Sequence, residues 1–174
     1  MPIHPLLQLI LAQRMLELLH ARANTRRLMA RGAVEVGARH YPLIVALHAA
    51  WWGVLAITVP AAERPQTLPV IAIGGLMIAR AWVIFSLGPY WTTRIITLPA
   101  APLVRRGPYR LLDHPNYWIV AAEIALVPLA FGQVMTAIVF SFLNGAVLAW
   151  RIAVEERALV GRRVSARGNS AASG

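Results

Sequence analysis

The chain has 174 residues, 58% of them hydrophobic and only 14% charged, with a net charge of +10 at neutral pH. Ordinary soluble domains carry about 25% charged residues, so a water-soluble globule and a disordered chain are both excluded. Cysteine is absent, which removes disulfides, thiolate nucleophiles and cysteine-based zinc or iron–sulfur sites, and no metal site is read from the sequence.

Crossing a hydrocarbon core of roughly 30 Å takes about 20 mostly apolar residues in a helix. Stretches at 3–19, 41–59, 68–87, 117–131 and 134–150 approach that length. The first holds Arg14 and Glu17, the second His48, the third Arg80, and the fourth Glu123 with a kink expected at Pro128; the fifth carries no charge. The composition therefore predicts an all-α integral membrane protein of about five transmembrane helices. Only 131–133 separates the last two spans, which predicts a C-terminal helical hairpin. The first span has no basic residue ahead of its apolar run and is interrupted by charge, so it reads as a retained helix rather than a signal peptide.

All 17 basic residues are arginine. They concentrate between the first and second spans (Arg22, Arg26, Arg27, Arg31, Arg39), between the third and fourth (Arg94, Arg105, Arg106, Arg110), and after the fifth (Arg151, Arg157, Arg162, Arg163, Arg167). With five crossings these regions fall on one side, which the positive-inside rule makes cytoplasmic. Scattered beside apolar spans, the arginines suit anionic lipid headgroups and point away from a nucleic-acid partner. The small, polar segment 165–174 is expected to be a disordered tail.

The loop at 88–116 holds five prolines and two glycines, which argues against a long helix there. It runs from Gly88-Pro89-Tyr90-Trp91 through a β-branched stretch to Arg105-Arg106-Gly107-Pro108-Tyr109-Arg110 and His114-Pro115-Asn116-Tyr117. Arg151 and Glu155 stand one helical turn apart just beyond the hairpin. The hairpin brings that turn and the His114–Tyr117 corner to the same membrane face, so two polar groups distant in sequence converge.

Gly107-Pro108-Tyr109-Arg110, His114-Pro115-Asn116-Tyr117, the apolar hairpin, and Arg151 with Glu155-Glu156 resemble the isoprenylcysteine carboxyl methyltransferase family. The likeness is greatest to small bacterial members, some of which O-methylate alkylpyrones, and Gly37-Ala38-Arg39-His40-Tyr41-Pro42 adds to it. It implies a single transmembrane methyltransferase domain over 1–164 with a cytoplasmic catalytic loop, multi-pass in a bacterial inner membrane, using S-adenosylmethionine. No glycine-rich nucleotide-binding loop is present. The implied cofactor-binding residues are His114, Tyr117, Glu156, Tyr109, Pro115 and Arg110, since a sulfonium cation favours carboxylates and aromatic faces. Arg151 would hold the anion of a lipophilic acceptor entering from the bilayer, and Glu155 would orient Arg151. The family usually carries arginine directly before the histidine; here that residue is Asp113.

Each residue also has a plainer reading. His114 fits a helix cap, Arg151, Glu155 and Glu156 fit a helix end meeting headgroups, and Trp91 and Trp118 fit an interfacial aromatic belt. Arg14 with Glu17 and Arg80 with Glu123 are expected to pair, because charge within a span is costly alone. His-Pro-Asn-Tyr is shared with membrane sterol reductases and phospholipid methyltransferases. An NADPH-dependent sterol- or enone-type reductase and a non-enzymatic membrane scaffold are therefore the competing readings.

Overall fold

The computed structural model describes residues 2–98, 104 and 106–171, with side chains as far as 157 except that of residue 40. Among the described residues the fold is five helices: α1 (Pro5–Met29), α2 (Tyr41–Thr58), α3 (Thr67–Leu87), α4 (Pro115–Leu129) and α5 (Val134–Ala171). Three stretches are long and apolar enough to cross a membrane: Tyr41–Thr58, Thr67–Tyr90 and Val134–Arg157, with mean hydropathies of 1.5, 2.1 and 1.8. Large apolar side chains such as Ile57, Leu68, Phe85 and Phe142 face outward, an arrangement suited to lipid and not to water. The chain is an all-α integral membrane protein.

Helix α1 outruns the apolar segment 3–19, because alanines, leucines and arginines through Met29 are good helix formers whether or not they lie in lipid. It opens on His4, whose ring accepts from the Leu6 amide at 3.1 Å. It buries Leu7, Ile10, Ala21, Asn24 and Leu28. Helix α4 ends at Leu129, so Pro128 stands at its last turn rather than at a mid-helix kink. The Pro128 carbonyl accepts from the amides of Phe131 and Gln133 at 3.0 and 2.9 Å, and Gly132, at φ +68°, turns the chain into α5. This is the expected hairpin. Helix α5 continues to Ala171, through most of the 165–174 segment expected to be disordered, and 172–174 lie outside the described residues.

The connections gather at two ends. At one, His4 reaches the Glu63 carbonyl at 3.1 Å, the Gln66 amide donates to Ala130 at 2.8 Å, and Gln133 donates to Thr58 at 3.3 Å. At the other lie the connections rich in arginine. There β1 (Val34–Glu35) pairs antiparallel with β2 (Ile96–Thr97), Val34 opposite Thr97. The second strand falls in the β-branched stretch of the long loop, whose described residues also form 3-10 turns at Gly88–Tyr90 and Gly107–Arg110. The core between the ends is built from Leu7, Trp51, Leu55, Ile73, Ile124 and Val127.

Candidate active site

Four side chains meet at the ribbon end of the bundle. Tyr117, in the first turn of α4, donates through its hydroxyl to Glu155 Oε2 and accepts from Arg151 Nε at 2.7 Å. Arg151 also donates through Nη2 to the Thr93 carbonyl at 2.8 Å. The His114 ring stacks on Tyr117 with centroids 5.2 Å apart and planes 10° from parallel, and its Nδ1 lies 3.8 Å from Glu155. His114 occupies the N-cap position of α4 but makes no side-chain capping bond. Its ring is thus committed to the cluster and not to the helix end. The polar end of α5 and the His114–Tyr117 corner meet because α4 and α5 pack as a hairpin.

The cluster opens on a cavity of about 880 Å³, toward the upper end of the roughly 300–1,000 Å³ found for small-molecule sites. Tyr109, Asp113, His114, Tyr117, Glu155 and Glu156 line it near the loop, with Arg151. Of the cofactor residues expected from sequence, Pro115 is buried at the start of α4 and Arg110 is exposed, and neither lines the cavity. Asp113 is on the wall although exposed, so the departure from the family pattern falls within the site. Burial raises the Tyr109 phenol pKa above its ordinary 10.0, and the Glu155 carboxylate adds to the effect. That side chain is a hydrogen-bond donor at physiological pH.

Arg151 is held from outside the motif as well. Thr93, whose carbonyl it grips, is 3.2 Å from the Tyr41 hydroxyl through its Oγ1. The Arg94 guanidinium lies 4.4 Å from the centre of the Tyr41 ring and binds both Glu35 oxygens at 2.9 Å. Asn24, on α1, donates to the carbonyls of Gly88 and Trp91, each at 3.0 Å. The loop is thereby fastened to α1, the ribbon and the start of α2. None of these supports was read from sequence; the β-branched run from Thr92 to Thr97 was the available signal for the ribbon.

Deeper in the same cavity, Arg14, Glu17, Arg80 and Glu123 form a closed quartet. Arg14 contacts Glu17 at 2.5 Å and Glu123 at 2.7 Å; Arg80 contacts Glu17 at 2.8 Å and Glu123 at 3.0 Å. The expected pairs are present, and the two cross-pairs tie α1, α3 and α4 together. Two cations against two anions leave no net charge, which offsets the cost of burying ions.

An all-α membrane protein with one large cavity, ion-paired within and lined near the loop by arginine, histidine, tyrosine and carboxylates, is the class these features define. Residues 69–161 match the isoprenylcysteine carboxyl methyltransferase (ICMT) family, a stretch that includes all of α4, α5 as far as residue 161, His114, Tyr117 and Arg151. The chain belongs to this family of membrane methyltransferases. It is similar to the uncharacterized protein YpbQ of Bacillus subtilis (strain 168), 36% identical over 158 residues that cover 88% of this chain and 94% of that protein. An uncharacterized protein of Haemophilus influenzae is 29% identical over 157 residues, covering 86% of this chain and 90% of its own. No solved structure matches the chain.

Proposed function

We propose that the protein transfers a methyl group from S-adenosylmethionine to a carboxylate or acidic enol oxygen of a lipophilic acceptor, at the cytoplasmic face of a bacterial inner membrane. The observation that carries this reading is the Tyr117 hydroxyl, which joins Arg151 to Glu155 at the mouth of a cavity with apolar walls.

The residues present fit the cofactor. Its sulfonium is attracted to carboxylates and aromatic faces, and Glu155, Glu156, Tyr109 and Tyr117 supply both on one wall. Its amino and hydroxyl groups need partners, and Asn116 Oδ1 is buried in that wall with no hydrogen-bond partner among the described residues. His114 is placed to take a ribose hydroxyl or the carboxylate, and Pro115 fixes the backbone where α4 begins. When bound, the cofactor supplies an electrophilic methyl group whose sulfur leaves as a neutral thioether.

The chain's own contribution is positioning. Arg151, fixed by Tyr117 and the Thr93 carbonyl, presents its charge to the acceptor oxygen. An acceptor that is already an anion needs no general base, so catalysis rests on holding donor and acceptor in line. The polar partner comes from the cytosol through the loop end, and the greasy one from the bilayer.

Calorimetry on the detergent-purified protein tests the reading, with S-adenosylhomocysteine and NADPH as ligands and Glu156→Ala and His114→Ala as controls. Binding of the homocysteine product, weakened in both variants, is expected. Binding of NADPH instead transfers the protein to the reductases, and binding of neither favours a scaffold.

A further inference from the structure

We infer that the acceptor carries, besides the oxygen that is methylated, a second and uncharged oxygen that binds about two helical turns deeper in the cavity, against Asn144 and His48. Only the identity of the first oxygen rests on the methyltransferase reading. Asn144 lies in the span of α5, 2% exposed, on the cavity wall, and its Nδ2 has no hydrogen-bond partner among the described residues. A polar side chain within a membrane span faces no water that could satisfy it, and such residues mark ligand paths.

His48, on α2, lines the same cavity. One of its ring nitrogens, Nδ1, is 2.9 Å from the Ile44 carbonyl. A carbonyl only accepts, so Nδ1 carries the hydrogen and Nε2 of the neutral ring is left as an acceptor. The cavity wall therefore offers a donor from Asn144 on α5 and an acceptor from His48 on α2, a pair suited to a hydroxyl, which accepts from the one and donates to the other. Charge is not wanted there, because Arg14 and Arg80 are cancelled by Glu17 and Glu123.

The spacing gives the acceptor's outline. Asn144 stands seven residues before Arg151 on α5, about 10 Å of helical rise. Val120, Val147 and Leu148 line the wall between the two levels, a stretch for hydrocarbon. An acceptor with an unbroken hydrocarbon tail leaves the Asn144 amide unsatisfied, and sites built to hydrogen-bond a ligand oxygen discriminate against analogues that lack it.

The test is displacement of tritiated palmitate from the protein in nanodiscs by palmitates bearing one hydroxyl group at successive positions, with S-adenosylhomocysteine affinity measured alongside. One hydroxyl position is expected to compete at least about tenfold better than palmitate. Asn144→Leu should flatten the series to the level of palmitate while the homocysteine product still binds. Asn144→Ala and His48→Leu provide the same comparison if the leucine variant does not accumulate. A flat wild-type series, a preference that survives all three substitutions, or no displacement by any probe overturns the inference. Failure of S-adenosylhomocysteine to bind the wild type counts against the methyltransferase reading alone and leaves the hydroxyl series to decide the second oxygen.

Discussion

Arg151 and Tyr117 are joined by a hydrogen bond of 2.7 Å from guanidinium to phenol, and the same phenol donates to Glu155. One oxygen thus links a cation on α5 to a carboxylate one turn further along that helix. Tyr117→Phe keeps the ring stacked on His114 and deletes the link. Hydrogen bonds to charged groups are worth roughly 1.5–3 kcal/mol, and about 1.4 kcal/mol is a factor of ten in binding. S-adenosylhomocysteine affinity is expected to fall about ten- to hundredfold, with a modest fall in thermal midpoint from the two lost hydrogen bonds. Unaltered affinity in a folded variant means that the bridge does not shape the cofactor site.

The buried quartet makes the opposite pattern: a large effect on stability. Glu123→Gln leaves Arg14 and Arg80 sharing one full carboxylate, and breaking a buried ion pair costs about 3–5 kcal/mol. Removing Arg80 and Glu123 together, as Arg80→Met with Glu123→Leu, leaves the Arg14–Glu17 pair intact and apolar groups elsewhere. The double variant should recover most of the thermal midpoint lost in Glu123→Gln. If the double variant is the less stable of the two, the quartet is not a charge-balanced staple.

Much of this architecture is written in the apolar runs. Helices α2 and α3 begin and end within a residue of where hydropathy places them, because lipid-facing helices must be apolar along their whole length. The convergence of His114, Tyr117, Arg151 and Glu155 was also legible, since a turn as short as 131–133 leaves α4 and α5 no other partner. Hydropathy fails for α1, where the helix passes out of the apolar zone without breaking. It is equally silent on Thr93, which acts through a main-chain carbonyl that no side-chain motif reports. Glu35 and Tyr41 stand in and just after the α1–α2 connection while Arg94 comes from the long loop, and only the ribbon pairing reveals that they share a place. Asn144 was visible as a lone amide in an apolar span, yet in such a span periodicity does not tell the cavity face from the lipid face.

Gly107 tests how tightly the motif loop is seated. Its φ is +56°, and a Cβ built there stands 2.1 Å from Ser86 Oγ and 3.1 Å from Ser86 Cβ. The neighbouring Arg106 donates from Nε to the Ser86 carbonyl at 2.6 Å, so the loop is held against the end of α3 at this point. Gly107→Ala meets both a clash and a left-handed backbone that costs on the order of 1–3 kcal/mol. We expect weakened S-adenosylhomocysteine binding, with Ser86→Ala harmless alone and only partly restorative in combination. Full restoration by Ser86→Ala would show that the clash alone, and not the backbone, demands glycine.

Tyr109 gives a dependence on alkaline pH whose sign is fixed. Burial raises its folded pKa above the ordinary 10.0. The phenol in the unfolded chain ionises as pH rises through that value while the folded one keeps its proton, so the unfolded state binds fewer protons and stability falls. Below that range both states are protonated and the group contributes no slope. The loss above pH 10 should be smaller in Tyr109→Phe, and the difference absorbance of the two folded proteins should show no tyrosinate near the ordinary value. A tyrosinate signal at the ordinary value would place the ring in water rather than against the cavity wall.

The proposed orientation of the site rests on arginine placement joined to the observed ends of the bundle, and reporter fusions test it. The His4–Glu63, Gln66–Ala130 and Gln133–Thr58 contacts fix one end, whose α2–α3 connection carries only Arg64 next to Glu63. The opposite end collects Arg26, Arg27, Arg31 and Arg39 with Arg94, Arg106, Arg110 and Arg157. Basic residues near span ends are retained on the cytoplasmic side, so the Tyr117–Arg151 cluster should face the cytosol, where S-adenosylmethionine is made available. Alkaline phosphatase fused after Arg64 should be active, and fused after Leu112 inactive, with a green fluorescent protein reporter giving the inverse. The reverse pattern would put the cofactor site on the outer face and remove the basis for a cytosolic methyl donor.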